Sequence, residues 1–288
     1  MNRSHTAGQH APRPALRAFT LVELLVVMGV IVIVAGVTVI ALGALGRDVR
    51  TTSAQNAIIA SLGNARALAM SENKPVLVVF RPRLLANGEE QVVDMIFAQW
   101  TGESTVLPSG QVIDRFVPVP NSDIRSLAVG IRVAGPLSRR STGAAPTLPG
   151  FTPRNWDELY ATQTDFPRLI RNNEWPGELI GVMYGSDGTL LTRNPLSDNS
   201  ILWVDFNNDD FQQTTPGVAR FILMRGENDE TNVNLVTFLA IYDDRRVREL
   251  YDDSLWTNEN TRTIHISDYL HEFADRIHFN RYTGVASR

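Results

Sequence analysis

Phe19-Thr20-Leu21-Val22-Glu23-Leu24-Leu25-Val26-Val27-Met28 is the stretch on which the reading of this chain turns. It holds one carboxylate, Glu23, at the head of an uncharged run that continues to Gly46. At helical rise, the residues from Leu24 to Gly46 reach about 35 Å, enough to cross a bilayer core of roughly 30 Å. Upstream, Met1 to Ala18 has no acid and carries Arg3, Arg13 and Arg17. Downstream, Ala54, Ile58, Ser61/Leu62, Ala65 and Leu68/Ala69 recur at three and four residues, opposite Gln55, Asn64, Arg66 and Glu72. That spacing is an amphipathic helix of mostly small apolar residues, suited to lying against a sheet. Lys74-Pro75 ends it, because proline cannot continue the hydrogen-bond ladder and restricts the residue before it. A helix from Phe19 to Asn73 would be roughly 80 Å long. No globular domain needs that length; a fibre subunit does.

The 288 residues suffice for one large or two small domains. Without the three leader arginines, 24 basic residues face 31 acidic ones. A chain that acidic lacks the basic face of a nucleic-acid binder, so no nucleic-acid partner is expected. There is no cysteine, which excludes disulfides, thiolate zinc sites and cysteine nucleophiles. The apolar run is too long for the core of a secretory signal and lacks a small-x-small cleavage site. Positive charge before the helix favours a cytoplasmic N-terminus, although Arg47 and Arg50 follow it.

Ala18-Phe19-Thr-Leu-Val-Glu23, with basic residues before it and a long apolar helix after it, resembles the prepilin processing motif. That motif marks type IV pilins and the pseudopilins of type II secretion. Ala18 stands where the family usually has glycine. The resemblance implies that a membrane prepilin peptidase cuts between Ala18 and Phe19 and methylates the new amine of Phe19. Residues 65–78 are similar to the helix-to-first-strand junction of H-type minor pseudopilins, and Arg276–Val285 to their closing strand and Thr-Gly turn.

Two features of the helix bear on assembly. A carboxylate in the bilayer costs several kcal/mol, about 2.5–3.5 at the centre by insertion scales, unless it is paired. The resemblance implies that the partner of Glu23 is the amine of Phe19 on a neighbouring chain, its own amine being expected a full helical turn away. Such a pair sets the axial register of a filament. Gly29, Gly36 and Gly43 recur every seven residues, which keeps them near one face as a smooth strip for backbone approach. Glycine is also simply common in membrane helices. With no proline between Pro14 and Pro75, a bend in the helix must come from glycine.

The expected fold class is α+β and pilin-like, a long N-terminal helix packed on an antiparallel β-sheet head. Its segments are a leader at 1–18, a transmembrane half at 19–46, an amphipathic half at 47–74 and a β-rich periplasmic head at 75–288. Strands are expected at 75–80, 91–98, 178–184, 201–205, 218–224, 233–242 and 247–251, with Asp243-Asp244-Arg245 as a hairpin turn. Residues 100–178, rich in Pro, Gly and Ser, read as an irregular insertion holding one strand at 127–133 and a short helix at 155–162.

Asp205-Phe-Asn207-Asn-Asp209-Asp210 alternates oxygen ligands as calcium loops do. It lacks the glycine after the third ligand, and its twelfth position is Pro216, so it is no EF-hand. The same residues are ordinary turn formers, and a solvated hairpin tip is the plainer reading. Calcium is the single cofactor this pattern raises. His265, His271 and His278 match no zinc spacing. With no Gly-x-Ser-x-Gly elbow and no phosphate-cradling loop, nothing reads as an active site, and no enzyme is expected.

The functional expectation is a minor pseudopilin, a structural subunit of a type II secretion pseudopilus. Its partners would be the prepilin peptidase, other pseudopilins or pilins, and the inner membrane, crossed once with the head in the periplasm. Two alternatives stand: a minor pilin of a type IV pilus, and a periplasmic binding or enzymatic domain on an uncleaved signal anchor.

Overall fold

The computed structural model describes residues 20–85, 91–106, 110, 112–136, 160–161, 178–192, 200–208, 231–252, 254, 256, 259–280 and 282–287. Inside the first helix, the side chains at 37 and 39–48 are not described. The chain divides into two compact units, Met1–Asp48 and Val49–Arg288, each treated by itself.

Helix α1 runs over Leu21–Glu72. It stops at Asn73, whose φ of 52° puts it in the left-handed region that asparagine tolerates after a helix. Lys74 N–H then donates to the Ala69 carbonyl at 3.3 Å, and Pro75 forbids a further turn. Among the described residues, no helix is long and apolar enough to cross a membrane. Described side chains run unbroken only from Thr20 to Gly36. The single-pass anchor expected over 19–46 is therefore not supported by the described helix.

The second unit overturns the expected fold class. Its main sheet is no open antiparallel layer under a helix; it closes into a six-stranded barrel. The strands are β1 (Val76–Leu84), β2 (Gln91–Val106), β3 (Val112–Pro118), β9 (Ser200–Val204), β10 (Thr231–Leu235) and β7 (Glu178–Tyr184), in that order around the barrel. Pairing of β1 with β7, Val76 opposite Tyr184, closes the ring. Two of the joints are parallel, β3 with β9 and β7 with β10, so the sheet is mixed as well as closed. Short β4 (Arg125–Ser126) pairs with β2, and β8 (Leu190–Leu191) with β7.

The run Val76-Leu-Val-Val-Phe80 shows how one strand feeds two of the body's cores. All five residues are fully buried, but successive side chains leave a strand on opposite faces. Leu77 and Val79 join Ala98, Phe116, Leu179, Met183, Leu202, Val204 and Val233 in one cluster, on the barrel's inner face. Val76, Val78 and Phe80 join Ile58, Leu62, Ala65 and Ala69 of α1 in the other. Gly181 on β7 is required by this packing, since a Cβ there would sit 2.7 Å from Val233 Cγ1.

A second sheet, ordered β13 (Ala286–Ser287), β12 (Asp275–Phe279), β11 (Phe238–Asp243), β5 (Ile131–Pro136) and β6 (Tyr160–Ala161), shares the α1 core through Val133, Leu239, Ile241 and Ile277. Its other face carries α2 (Asp244–Leu250) and α3 (Glu259–Glu272), with Tyr242, Val247, Ile266, Tyr269 and Leu270 between them.

Several local expectations are corrected here. Residues 247–250 lie in helix α2, with Tyr251 as its C-cap, in place of the expected strand at 247–251; Asp243 caps the helix start by accepting from Arg245 N–H at 3.0 Å. The expected hairpin turn at 243–245 is that helix start. The single strand expected at 233–242 is two, β10 and β11, which belong to different sheets. The 100–178 stretch supplies β3 of the barrel and β5 and β6 of the second sheet, so it is no excursion. Tyr160–Ala161 is strand within the expected helix at 155–162. The strand expected at 218–224 lies outside the described residues.

Candidate assembly interface

The first helical turn is built by Thr20 and Glu23. Thr20 is the last residue before the helix, and its hydroxyl accepts from Glu23 N–H at 3.2 Å. Glu23 reaches back in turn: its Oε2 accepts from Thr20 N–H and from the Thr20 hydroxyl, each at 2.9 Å. This is a capping box, which satisfies two of the backbone donors that a helix start leaves unpaired. The Thr-x-x-Glu spacing announces it in the sequence, and the role of Thr20 was the part not read there. The Glu23 carboxylate is thereby folded back onto residue 20, while Phe19, whose own amine is expected a full turn away, lies outside the described residues.

Beyond the cap, the apolar side chains are uncovered. Leu21, Leu25, Val32 and Ile33 are 81, 66, 69 and 68% exposed, and every described residue from Thr20 to Gly36 is exposed. Gly29 and Gly36 have open space on their side, with nothing within 4 Å of where a Cβ would be. The surroundings of Gly43, and Ala18 and Phe19 altogether, lie outside the described residues. A helix with no polar face past Glu23 must be covered by something apolar on all sides.

On the second unit, the flank of α1 carries a groove of about 200 Å³ lined by Ile59, Gly63, Met70, Tyr184, Gly284 and Val285. Two turns form its far wall. Arg66 Nε donates to the Gly188 carbonyl at 3.0 Å. Gly284, at φ 65°, packs so closely on Gly188 that a Cβ would strike its carbonyl oxygen. Burial pushes the Tyr184 hydroxyl up to about 12, against the opposing pull of Arg66.

The calcium pattern at 205–209 meets a different arrangement. Asp205 is fully buried, and its Oδ2 accepts from Arg115 Nε and Nη2 at 3.1 and 2.6 Å. Asp205 Oδ1 accepts from Asn208 N–H at 2.5 Å, a turn closed with Asn208 at φ 59°. Arg115 also donates to Glu103 Oε2 at 2.6 Å and to Asn208 Oδ1 at 2.9 Å. Burial works against the Arg115 charge, but hydrogen bonds and charge from Asp205 and Glu103 outweigh it and hold the guanidinium above its ordinary range. Asn207 is exposed, and Asp209 lies outside the described residues. Both oxygens that Asp205 would offer a cation are thus committed to protein donors. At the turn Asn207 and Asn208 are exposed, but Asp205 is buried beside β3. Arg115 and Glu103, which hold it there, carry no local sequence signal.

The three histidines do not converge. His265 on α3 accepts from Trp256 Nε1 at 2.9 Å and stacks on Tyr251 at 4.7 Å, while His278 on β12 lies 5.8 Å from the Phe238 ring. Among the described residues, no group of three His, Asp or Glu side chains is placed to hold a metal.

None of the family models, curated proteins or solved structures compared with this chain matches it. The functional reading therefore rests on its own residues.

Proposed function

We propose that the chain is a structural subunit, a minor pseudopilin of a type II secretion pseudopilus, cut between Ala18 and Phe19 and methylated on Phe19 by a prepilin peptidase. The observation that carries the proposal is the start of α1. A single acid, Glu23, heads an apolar helix whose described side chains from Leu21 to Val34 are all uncovered by the rest of the chain. Such a surface is stable in water only when it is covered, and copies of the same helix cover it on every side in a filament. Residence in the inner membrane before assembly, with the head in the periplasm, belongs to the same proposal. It rests on the length of the apolar sequence from Leu24 to Gly46.

The mass of the mature N-terminal peptide tests processing: methylated Phe19 is expected, and a chain beginning at Met1 refutes it. Deletion of the gene tests membership. Loss of protein secretion with pili intact fits a pseudopilin, and loss of pilus-dependent movement with secretion intact places the subunit in a type IV pilus instead.

A further inference from the structure

The groove on the flank of α1 has apolar walls and a charge of one sign. Met70 and Val285, which line it, are 44 and 51% exposed, and Gly63 has nothing within 4 Å of where a Cβ would stand. At about 200 Å³ it is smaller than the roughly 300–1,000 Å³ of small-molecule sites, so it suits a side chain better than a free ligand. Its one charged lining residue is Arg66. Arg66 Nε is taken by the Gly188 carbonyl at 3.0 Å, and this half-buried guanidinium has no other described hydrogen bond or ion pair, which leaves its Nη fork for a carboxylate. Asp187, on the same turn as Gly188, does not supply one. Its Oδ1 accepts from the Thr189 N–H and hydroxyl at 3.0 and 2.7 Å. An occupant that satisfies this groove therefore pairs an apolar side chain with an acid.

Asp123 and Ile124, in the loop between β3 and β4, are such a pair. Both are exposed, Ile124 at 61%, and Asp123 has no described hydrogen bond or ion pair. The loop is held in shape before any contact. Asn121 takes φ 59°, and the Ser122 N–H and hydroxyl donate to the Val119 carbonyl at 3.2 and 2.9 Å. A loop already ordered loses little freedom on binding. Glu272-Phe273 has the same composition, but Phe273 already packs on the Tyr269 ring at 5.4 Å.

We propose that the Asp123-Ile124 loop of one copy of this chain seats in the groove of a second copy, with Ile124 against Met70 and Val285 and Asp123 on the Arg66 guanidinium. Loop and groove are different surfaces, so the contact is head-to-tail and leaves one of each free for the next copy. The proposal rests on the structural-subunit reading above but draws on no residue of the helix start. One apolar side chain and one ion pair bind weakly between free copies, and become effective once copies are held side by side.

The chain has no cysteine, so introduced thiols report single contacts. Whole chains carrying Ile124→Cys or Met70→Cys are mixed in detergent and treated with a short bismaleimide, and linked peptides are followed by mass spectrometry. The mixture is expected to link about ten-fold faster than either chain alone. Adding Asp123→Arg to the Ile124→Cys chain sets two cations together and should slow the mixed reaction about ten-fold. Arg66→Glu on the Met70→Cys chain should then restore it. Equal rates in the mixture and in either chain alone, or a mixed rate unchanged by Asp123→Arg, overturn the proposal. Fastest linkage within Met70→Cys alone shows a two-fold contact between grooves and overturns it as well. The N-terminal peptide in the same spectra reports processing separately: a chain beginning at Met1 refutes that reading and leaves this contact standing.

Discussion

Replacing Asp205 by alanine is the most direct probe of the body's buried electrostatics. The carboxylate is fully buried and the Arg115 side chain is 8% exposed, so neither charge is relieved by water. Removing one member of a buried pair leaves the other uncompensated and costs about 3–5 kcal/mol. Here Arg115 keeps Glu103, at 2.6 Å and 16% exposed, which argues for the lower end of that range. The Asn208 N–H loses its acceptor as well, and with it the turn that follows β9. At about 3 kcal/mol, and 2–4 °C per kcal/mol for a body of this size, the melting temperature should fall by about 10 °C. The assay is thermal unfolding of the whole chain in detergent, followed by near-ultraviolet circular dichroism of the tryptophans. Arg115→Met should cost more, because it strands two carboxylates. The double variant Arg115→Met/Asp205→Leu should lose clearly less than the sum of its parts. A loss under 1 kcal/mol for Asp205→Ala, or strict additivity in the double variant, refutes the pairing as a source of stability. The same melts with and without a calcium chelator should superimpose, since both Asp205 oxygens already have donors; a chelator-dependent drop would return the site to the cation.

Gly284→Ala should destabilise the body by about 1–3 kcal/mol in denaturant titrations, since it combines left-handed strain with a collision on the Gly188 carbonyl. Ile58→Ala, emptying a fully buried position on α1, should cost about 2–5 kcal/mol in the same assay. Tyr242→Phe should be neutral or stabilising, because the buried hydroxyl has no hydrogen-bond partner among the described residues. Tyr184 keeps its proton in the folded state up to about pH 12, against an ordinary value of 10.0. Its contribution is therefore complete below pH 10 and lost as pH rises toward 12, and Tyr184→Phe should flatten that part of the stability profile.

Local signals made the helix and the first hairpin legible. The amphipathic stripe of Ile58, Leu62, Ala65 and Ala69, the stop before Pro75 and the unbroken run Val76–Phe80 each depend on neighbours in sequence. Residues 247–251 were misread because Val247 and Leu250 sit among charges as a strand's would. The deciding signal was Asp243 at the cap, with Asp244 and Arg248 four apart at 3.0 Å. Barrel closure left no trace of that kind. It depends on Ile113 meeting Ile201 and Val233 meeting Leu179, joints between segments some tens of residues apart that no periodicity announces. Asp205 failed for the same reason. Its residue types form turns, and its burial is imposed by Arg115, ninety positions away.

Closure also constrains how copies of this chain can meet. Among the described residues, the barrel ring leaves free edges only at the two-residue strands β4 and β8, and an exposed strand edge is a template for pairing with another chain. The second sheet does have edges, but among the described residues β13 and β6, which form them, are two residues long each. Short edges present too few donors and acceptors to template another strand. Among the described residues, the longest uncovered apolar run is that of α1 from Leu21 to Val34, with Gly29 and Gly36 open for close approach. The assembly we propose uses that surface, where contacts are apolar and slide easily. An apolar helix face alone does not fix a stagger between copies, since neighbouring registers bury similar area. In the filament we propose, an ionised Glu23 at its head costs more in every register but the one that supplies a cation, and that single acid would turn a permissive surface into a specific one.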